Sequence, residues 1–406
     1  MRHDAIVAVR AYLLDCDTAH AADGAAPVPP AGPIQDPPPD HWLSGKVANP
    51  MSRYMEFRDN RDAAIGSFAG RTVVVQVESA SGATGIGTTS GGLAAAAVIE
   101  EHLAYLVRGE QPWAHQRIWD RMYSSTLRYG RKGLVVNAIS AVDIAVWDLH
   151  GKITDMPVHA LAGGRVHDRL RAYATGPKPA TAARMGFAGS KLPLVYAPCE
   201  GEEGLRRNVE LVAKARTELP VDFPIMLDCW MALDVDYAVR LAHAVAPFGV
   251  AWLEEPLPPD DYEGLRRLRD RMPPTMMLAT GEHEWTAKGF ELLCRSGVDL
   301  LQPDISWCGG VTELIRIADV AQTHGVKLIP HCGGMFSYHV VAARPELELV
   351  EFPVLSPDGM TVTPQHTPLF TGERLPDNGW VSVGDDPGFG LSLNPEVGLV
   401  RPVTGP

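Results

Sequence analysis

The sequence predicts an α/β chain: a modified (β/α)8, TIM-like barrel with an N-terminal α+β capping domain. Three observations carry that prediction. Eight short apolar runs between residues 171 and 352 are separated mostly by amphipathic helical segments. Five consecutive runs carry an acid or a histidine at their C-terminal ends, each about one strand-and-helix unit from the next. Ahead of them stand a strand, a hairpin and three helical stretches, an order that builds an α+β unit.

Taken from the N-terminus, Ala5–Leu14 alternates and is β-branched enough for a strand. Residues 17–40 are dense in Pro, Ala and Gly and read as a long loop. A loop of that length inside a compact domain is often functional, so residues 17–61 are expected to form a lid. His41 and Trp42, then Arg53, Arg58 and Arg61, suit a lid that touches an anion. Residues 72–90 alternate around a Ser/Gly turn as a hairpin. Helical spacing follows near 91–108, 114–125 and 134–152, closing a capping domain at about residue 160.

The barrel is expected over 161–352, on the runs 171–175, 187–192, 224–228, 250–255, 276–282, 298–304, 326–331 and 347–352. Right-handed crossovers make these strands parallel. The span is short for eight units, so the eighth helix is expected to be lost or shortened. The Pro/Gly-rich residues 353–406 are expected to pack back onto the capping domain.

The 406 residues are 46% hydrophobic and 21% charged, enough to bury a large core. A net charge of −13 without a basic tract argues against nucleic acid or an anionic membrane surface as partner. Cys16, Cys199, Cys229, Cys294, Cys308 and Cys332 form no C-x-x-C pair and read as reduced thiols. The first residues lack the pattern of a secretory signal, and no apolar run reaches about 20 residues. The expectation is a soluble cytoplasmic protein.

Reactive groups of a parallel barrel collect at its C-terminal rim. Asp228, Glu254, Glu282, Asp304 and His331 are expected there, at the ends of strands three to seven, spaced 26, 28, 22 and 27 residues apart. One strand-end acid is usually a helix cap. Three in successive units repel one another unless a hard cation lies between them, and an oxygen-only set suits Mg2+. Asp304 beside His331 makes a dyad in which the carboxylate orients a histidine base. An aldolase-type metal site would call for several histidines where this chain has acids.

The motifs LDCW, LEEP, TGEH, LQPD and IPH, with the stretches HWLSGKVANPMSRY and SGVDLLQPDISWCGGVTEL and a late PGFG, together resemble the mandelate-racemase-like branch of the enolase superfamily over nearly the whole chain. That resemblance implies one Mg2+ per subunit on Asp228, Glu254 and Glu282, and His331 as base with Asp304 raising its basicity. It implies that His41 and Arg61 reach the substrate from the lid, and that Glu351, at the end of the eighth strand, hydrogen-bonds it. Lys191, Trp230 and His283 would complete the substrate pocket. It also implies a homo-oligomer, an octamer among the candidate sizes.

Many relatives carry K-x-K on the second barrel strand, the second lysine being a base. Lys191-Leu192-Pro193 lacks that second lysine, which disfavours two-base racemisation and leaves one-base elimination. The implied activity is dehydration of a sugar acid, L-rhamnonate foremost. CGGMFSYH after His331 and LEEP depart from the expected pattern near the distal end of the substrate, so L-lyxonate and L-mannonate stay open. A non-catalytic homologue binding metal and sugar acid is the reading from a different class; an intact base dyad weighs against it.

Overall fold

The computed structural model describes residues 4–14, 41–59 and 72–402. A four-stranded antiparallel sheet holds β1 (Ile6–Leu14), β2 (Val73–Ser79) and β3 (Thr84–Thr89), completed by β15 (Leu399–Val400) in the order β15-β1-β2-β3. β2 reads with period two. Val73, Val75 and Val77 face Ile99, Ile118 and Met122 on one side, whereas Val74 joins the larger barrel core on the other.

The helices over this sheet are α1 (Gly92–Val98), which runs on through a π-helical turn, α2 (His115–Thr126) and α3 (Leu134–Thr154). Contrary to the sequence expectation, α3 is long and apolar enough to cross a membrane, but 83% of its apolar window is buried within the protein. Its Ile144 and Trp147 pack into the barrel core and its Ile139, Val142 and Leu149 into the sheet core, which is why it is apolar all round. β3 lies against it because Gly85 and Gly87 lack side chains: a Cβ there would stand 2.1 and 2.2 Å from the α3 carbonyls of Ala145 and Ala141.

The second sheet is the barrel. Its strands are β4 (Leu170–Thr175), β5 (Ser190–Pro193), β6 (Ile225–Asp228), β7 (Val250–Glu254), β8 (Met277–Thr280), β9 (Leu300–Leu301), β10 (Lys327–Leu328) and β11 (Leu349–Pro353). They are parallel in the order β10-β9-β8-β7-β6-β5-β4-β11. Between them run α4 (Pro179–Arg184), α5 (Gly201–Thr217), α6 (Val235–Val245), α7 (Tyr262–Arg271), α8 (Thr286–Arg295), α9 (Gly310–His324) and α10 (Gly334–Ala342). Among the described residues no helix follows β11 before the short strands near the C-terminus, so this is a modified (β/α)8 barrel.

Side chains again alternate. Tyr173, Met226, Trp252, Ala279 and Leu300 fill the barrel interior, with Tyr173 edge-on to Trp252 at 5.5 Å. Leu227, Leu253, Leu278 and Leu301 face the helices. β9 and β10 are shorter than the runs 298–304 and 326–331. Pro303 and Pro330 lack the N–H that a ladder needs, and only an isolated bridge between Asp304 and His331 continues the pairing.

The C-terminal segment touches both sheets. β12 (Phe370–Thr371) pairs with β14 (Ser392–Leu393), β13 (Trp380–Val381) pairs with β4, and β15 with the end of β1. Buried Asp148 on α3 joins these parts: its carboxylate accepts from Ile86 N–H at 2.9 Å and Phe389 N–H at 3.0 Å, and pairs with Lys152 at 2.6 Å.

Candidate active site

The C-terminal rim opens into a cavity of about 390 Å³. Lys191, Asp228, Trp230, Glu282, Asp304, His331 and Glu351 all line it. Asp228 and Glu254 are the last residues of β6 and β7 and stand opposite each other in the ladder. Glu282, Asp304 and His331 lie two or three residues beyond their strands rather than at strand ends, the last two on the extensions that Pro303 and Pro330 cut from the ladder. The helix-cap alternative is answered for two of the acids: Asp234 caps α6 and Asp261 caps α7, so Asp228 and Glu254 are not spent on capping.

Asp304 and His331 form the expected dyad. His331 Nδ1 lies 2.8 Å from Asp304 Oδ2, while the other Asp304 oxygen accepts the Ser306 N–H at 2.7 Å. A carboxylate at Nδ1 fixes one proton there, so Nε2 is the nitrogen that gains and loses the second. Nε2 stands 3.5 Å from Glu282 Oε1 and 3.4 Å from the Cys332 sulfur. Burial opposes the charged imidazole, but Cys332, Glu282 and Glu351 and the Asp304 hydrogen bond outweigh it, so the His331 pKa is raised well above its ordinary value. Trp307 packs between the rings of His331 and His283, at 5.8 and 5.5 Å.

Lys191 is fully buried, and its ammonium donates to Glu254, pairs with Glu351 at 2.7 Å and approaches Asp228 at 3.9 Å. The sequence reading made Lys191 a substrate contact; here its charge is committed to the acids. Glu351 sits inside β11 rather than at its end. It accepts from Thr175 Oγ1 at 2.5 Å and from the Cys332 N–H at 3.1 Å.

Crowding of acids shows in their protonation. Burial pushes Glu254 up to about 8 despite Lys191, with Asp228 and Glu351 adding to the effect. Burial likewise raises Glu282 against the pull of His331 and His283. Among the described residues, six acids (Asp228, Glu254, Glu255, Glu282, Asp304 and Glu351) crowd here with three cationic or titratable groups, Lys191, His283 and His331. A hard divalent cation fits this excess of carboxylate oxygen, and Asp228, Glu254 and Glu282 offer the donors. Glu254 is held for that place by Gln302 Nε2 at 2.7 Å and the Trp252 indole N–H at 3.1 Å.

Other expected contacts differ. His41 does not line the cavity: its Nδ1 accepts the Leu43 N–H at 3.1 Å and its Nε2 meets the Leu355 carbonyl at 3.0 Å, whereas Trp42 does line it. His283 is held at 3.3 Å by Glu255 and is likewise outside the lining. Arg53 and Arg58 donate to the Pro50 and Ser52 carbonyls and do not reach the cavity. Arg61 lies outside the described residues.

Three residues escaped the sequence reading. Glu255, fully buried and at φ +44°, accepts from Thr280 Oγ1 at 2.6 Å and the Gly281 N–H at 2.7 Å, so it positions the segment that carries Glu282. Its signal was the second acid of LEEP. Gln302 and Cys332 each adjoin a motif residue in space, and Cys332 directly follows His331 in the chain. Burial, then Glu351, holds the Cys332 thiol up to about 12, so by itself it is neutral.

Residues 178–397 match the family described as Enolase C-terminal domain-like, and residues 59–163 match the Mandelate racemase / muconate lactonizing enzyme, N-terminal domain. An L-rhamnonate dehydratase of Saccharopolyspora erythraea is 49% identical over 364 residues, 89% of this chain and 93% of that one. The crystal structure of rhamnonate dehydratase from Gibberella zeae complexed with Mg is similar with a TM-score of 0.90 at 34% identity, covering 98% of this chain and 97% of that chain. The 3,6-anhydro-D-galactonate cycloisomerase of Zobellia galactanivorans is similar with a TM-score of 0.73 at 25% identity, covering 96% and 97%.

Proposed function

The chain belongs to the enolase superfamily, and from that premise we propose that it is a Mg2+-dependent acid-sugar dehydratase acting on L-rhamnonate. The observation that carries the reading is the Asp304–His331 pair at 2.8 Å, set in a cavity also lined by Asp228 and Glu282.

Asp228, Glu254 and Glu282 would hold the cation, which when bound supplies positive charge where the substrate carboxylate gains electron density. His331 Nε2 takes the proton from C2, with Asp304 accepting from Nδ1–H throughout and stabilising the imidazolium. The imidazolium then gives its proton to the departing 3-hydroxyl, so one residue is base and acid in turn. The enol formed at C2–C3 ketonises to 2-keto-3-deoxy-L-rhamnonate and water has left. Pro193, where relatives place a second lysine base, can neither take nor give a proton, which supports elimination over racemisation. Glu351, held by Lys191 and Thr175, presents a fixed negative charge beside His331 that favours the imidazolium.

The test is 2-keto acid formation, trapped with semicarbazide, from a panel of C4–C6 sugar acids with Mg2+ and with EDTA. Turnover of L-rhamnonate that EDTA abolishes is expected. Turnover of L-lyxonate or L-mannonate alone would keep the mechanism and change the substrate. Silence on every acid while Mg2+ binds would overturn the enzymatic reading in favour of a non-catalytic binder.

A further inference from the structure

We propose that His331, Cys332 and Glu351 form a second metal site, selective for a thiophilic divalent cation such as Zn2+, that disables the base when filled. One ligand atom from each of the three lies within 4.8 Å of the others. Neighbouring residues of an extended chain point to opposite faces. Cys332 does not, because its φ of +41° turns the sulfur back to the side of His331. The resulting Nε2 to sulfur distance is 3.4 Å. Two ligands of a tetrahedral Zn2+, with Zn–N about 2.0–2.1 Å and Zn–S about 2.3 Å, stand roughly 3.5 Å apart. The Cys332 N–H already holds one Glu351 oxygen at 3.1 Å, which brings the third donor to the same spot.

The donor types separate this site from the carboxylate set. Mg2+ prefers oxygen, whereas imidazole with a thiolate favours Zn2+. Binding exchanges two protons for the cation: the Cys332 S–H and the His331 Nε2–H bonds break, both protons leave to solvent, and the S–Zn and N–Zn bonds form from the freed electron pairs. Neutral imidazole, one thiolate and one carboxylate balance the 2+ charge, so the buried centre carries none. All three residues line the cavity, so water can supply a fourth ligand. With its Nε2 pair on the cation, His331 cannot take a proton. Binding stands independently of the activity proposed above; only the inhibitory consequence rests on it.

The test uses the full chain in saturating Mg2+, titrated with Co2+ as a visible stand-in for Zn2+. A near-ultraviolet thiolate-to-cobalt charge-transfer band is expected at one equivalent, discharged by Zn2+ and absent in Cys332→Ser with unchanged circular dichroism. No band, or an equal band in Cys332→Ser, overturns the site. If Cys332→Ser does not fold, the wild-type protein decides: alkylation of Cys332, followed by peptide mass, is expected to slow at least tenfold with Zn2+, and an unchanged rate overturns the site. A band together with silence on every sugar acid would overturn the dehydratase reading and keep the site.

Discussion

Lys191 on β5 and Glu351 on β11 meet at 2.7 Å across the end of β4, and both side chains are almost wholly buried. Each has further partners, Glu254 for the lysine and Thr175 for the glutamate. Charges taken this far from water are tolerated only when paired, and removing a member of such a buried set typically costs about 3–5 kcal/mol. Lys191→Met and Glu351→Gln are each expected to destabilise the fold strongly in urea. The double variant should lose at least ~1 kcal/mol less than the two losses added. Strict additivity would mean the two charges do not depend on each other.

The dyad makes a prediction that separates its members. His331→Asn should reduce turnover to background while the fold and Mg2+ binding persist, since only the proton carrier is gone. Asp304→Asn keeps the imidazole in place but no longer holds its proton on Nδ1, and kcat should fall roughly 10²–10⁴-fold. A value within threefold of the parent for Asp304→Asn would remove the carboxylate from the mechanism.

The grouping of acids and histidine at one rim is legible in the sequence because a barrel converts regular spacing into adjacency. Period-two alternation likewise exposes β2 and the barrel strands. Other features depend on backbone conformations or distant partners that no spacing reports. Glu255 and Cys332 matter through positive φ angles, which redirect side chains that an extended chain would point elsewhere. Lys191 reads as a substrate contact until Glu254 and Glu351, 63 and 160 residues away, claim its charge. His41 is withdrawn by the Leu355 carbonyl, a partner 314 residues distant.

Glu255 gives a prediction about the cation without touching it. Its carboxylate fixes Thr280, Gly281 and His283, the residues on both sides of Glu282. Partners that orient a ligand are typically worth 10–100-fold in metal affinity. Glu255→Gln should therefore raise the Mg2+ concentration needed for half-maximal turnover by about tenfold, with a smaller effect on the rate at saturation. An unchanged Mg2+ dependence would show that the Glu282 segment is held by packing alone.

Far from the cavity, His115 sets part of the acid limit of stability. Its ring stacks on Trp147 at 3.8 Å, and burial, helped by His150, lowers its pKa from 6.5 to about 3. The folded pKa is depressed, so the unfolded chain binds the extra proton between these values. The stabilisation is complete above pH 6.5 and drains away as the pH falls toward 3. The full shift is worth on the order of a few kcal/mol, and part of it is already lost at pH 5. His115→Phe keeps the stacking surface and deletes the titration, so its melting temperature should drop less than the parent's between pH 7 and pH 5. The gap should be about 1–2 °C per kcal/mol for a chain of this length. Equal drops in both proteins would place the acid sensitivity in other groups and take His115 out of the account.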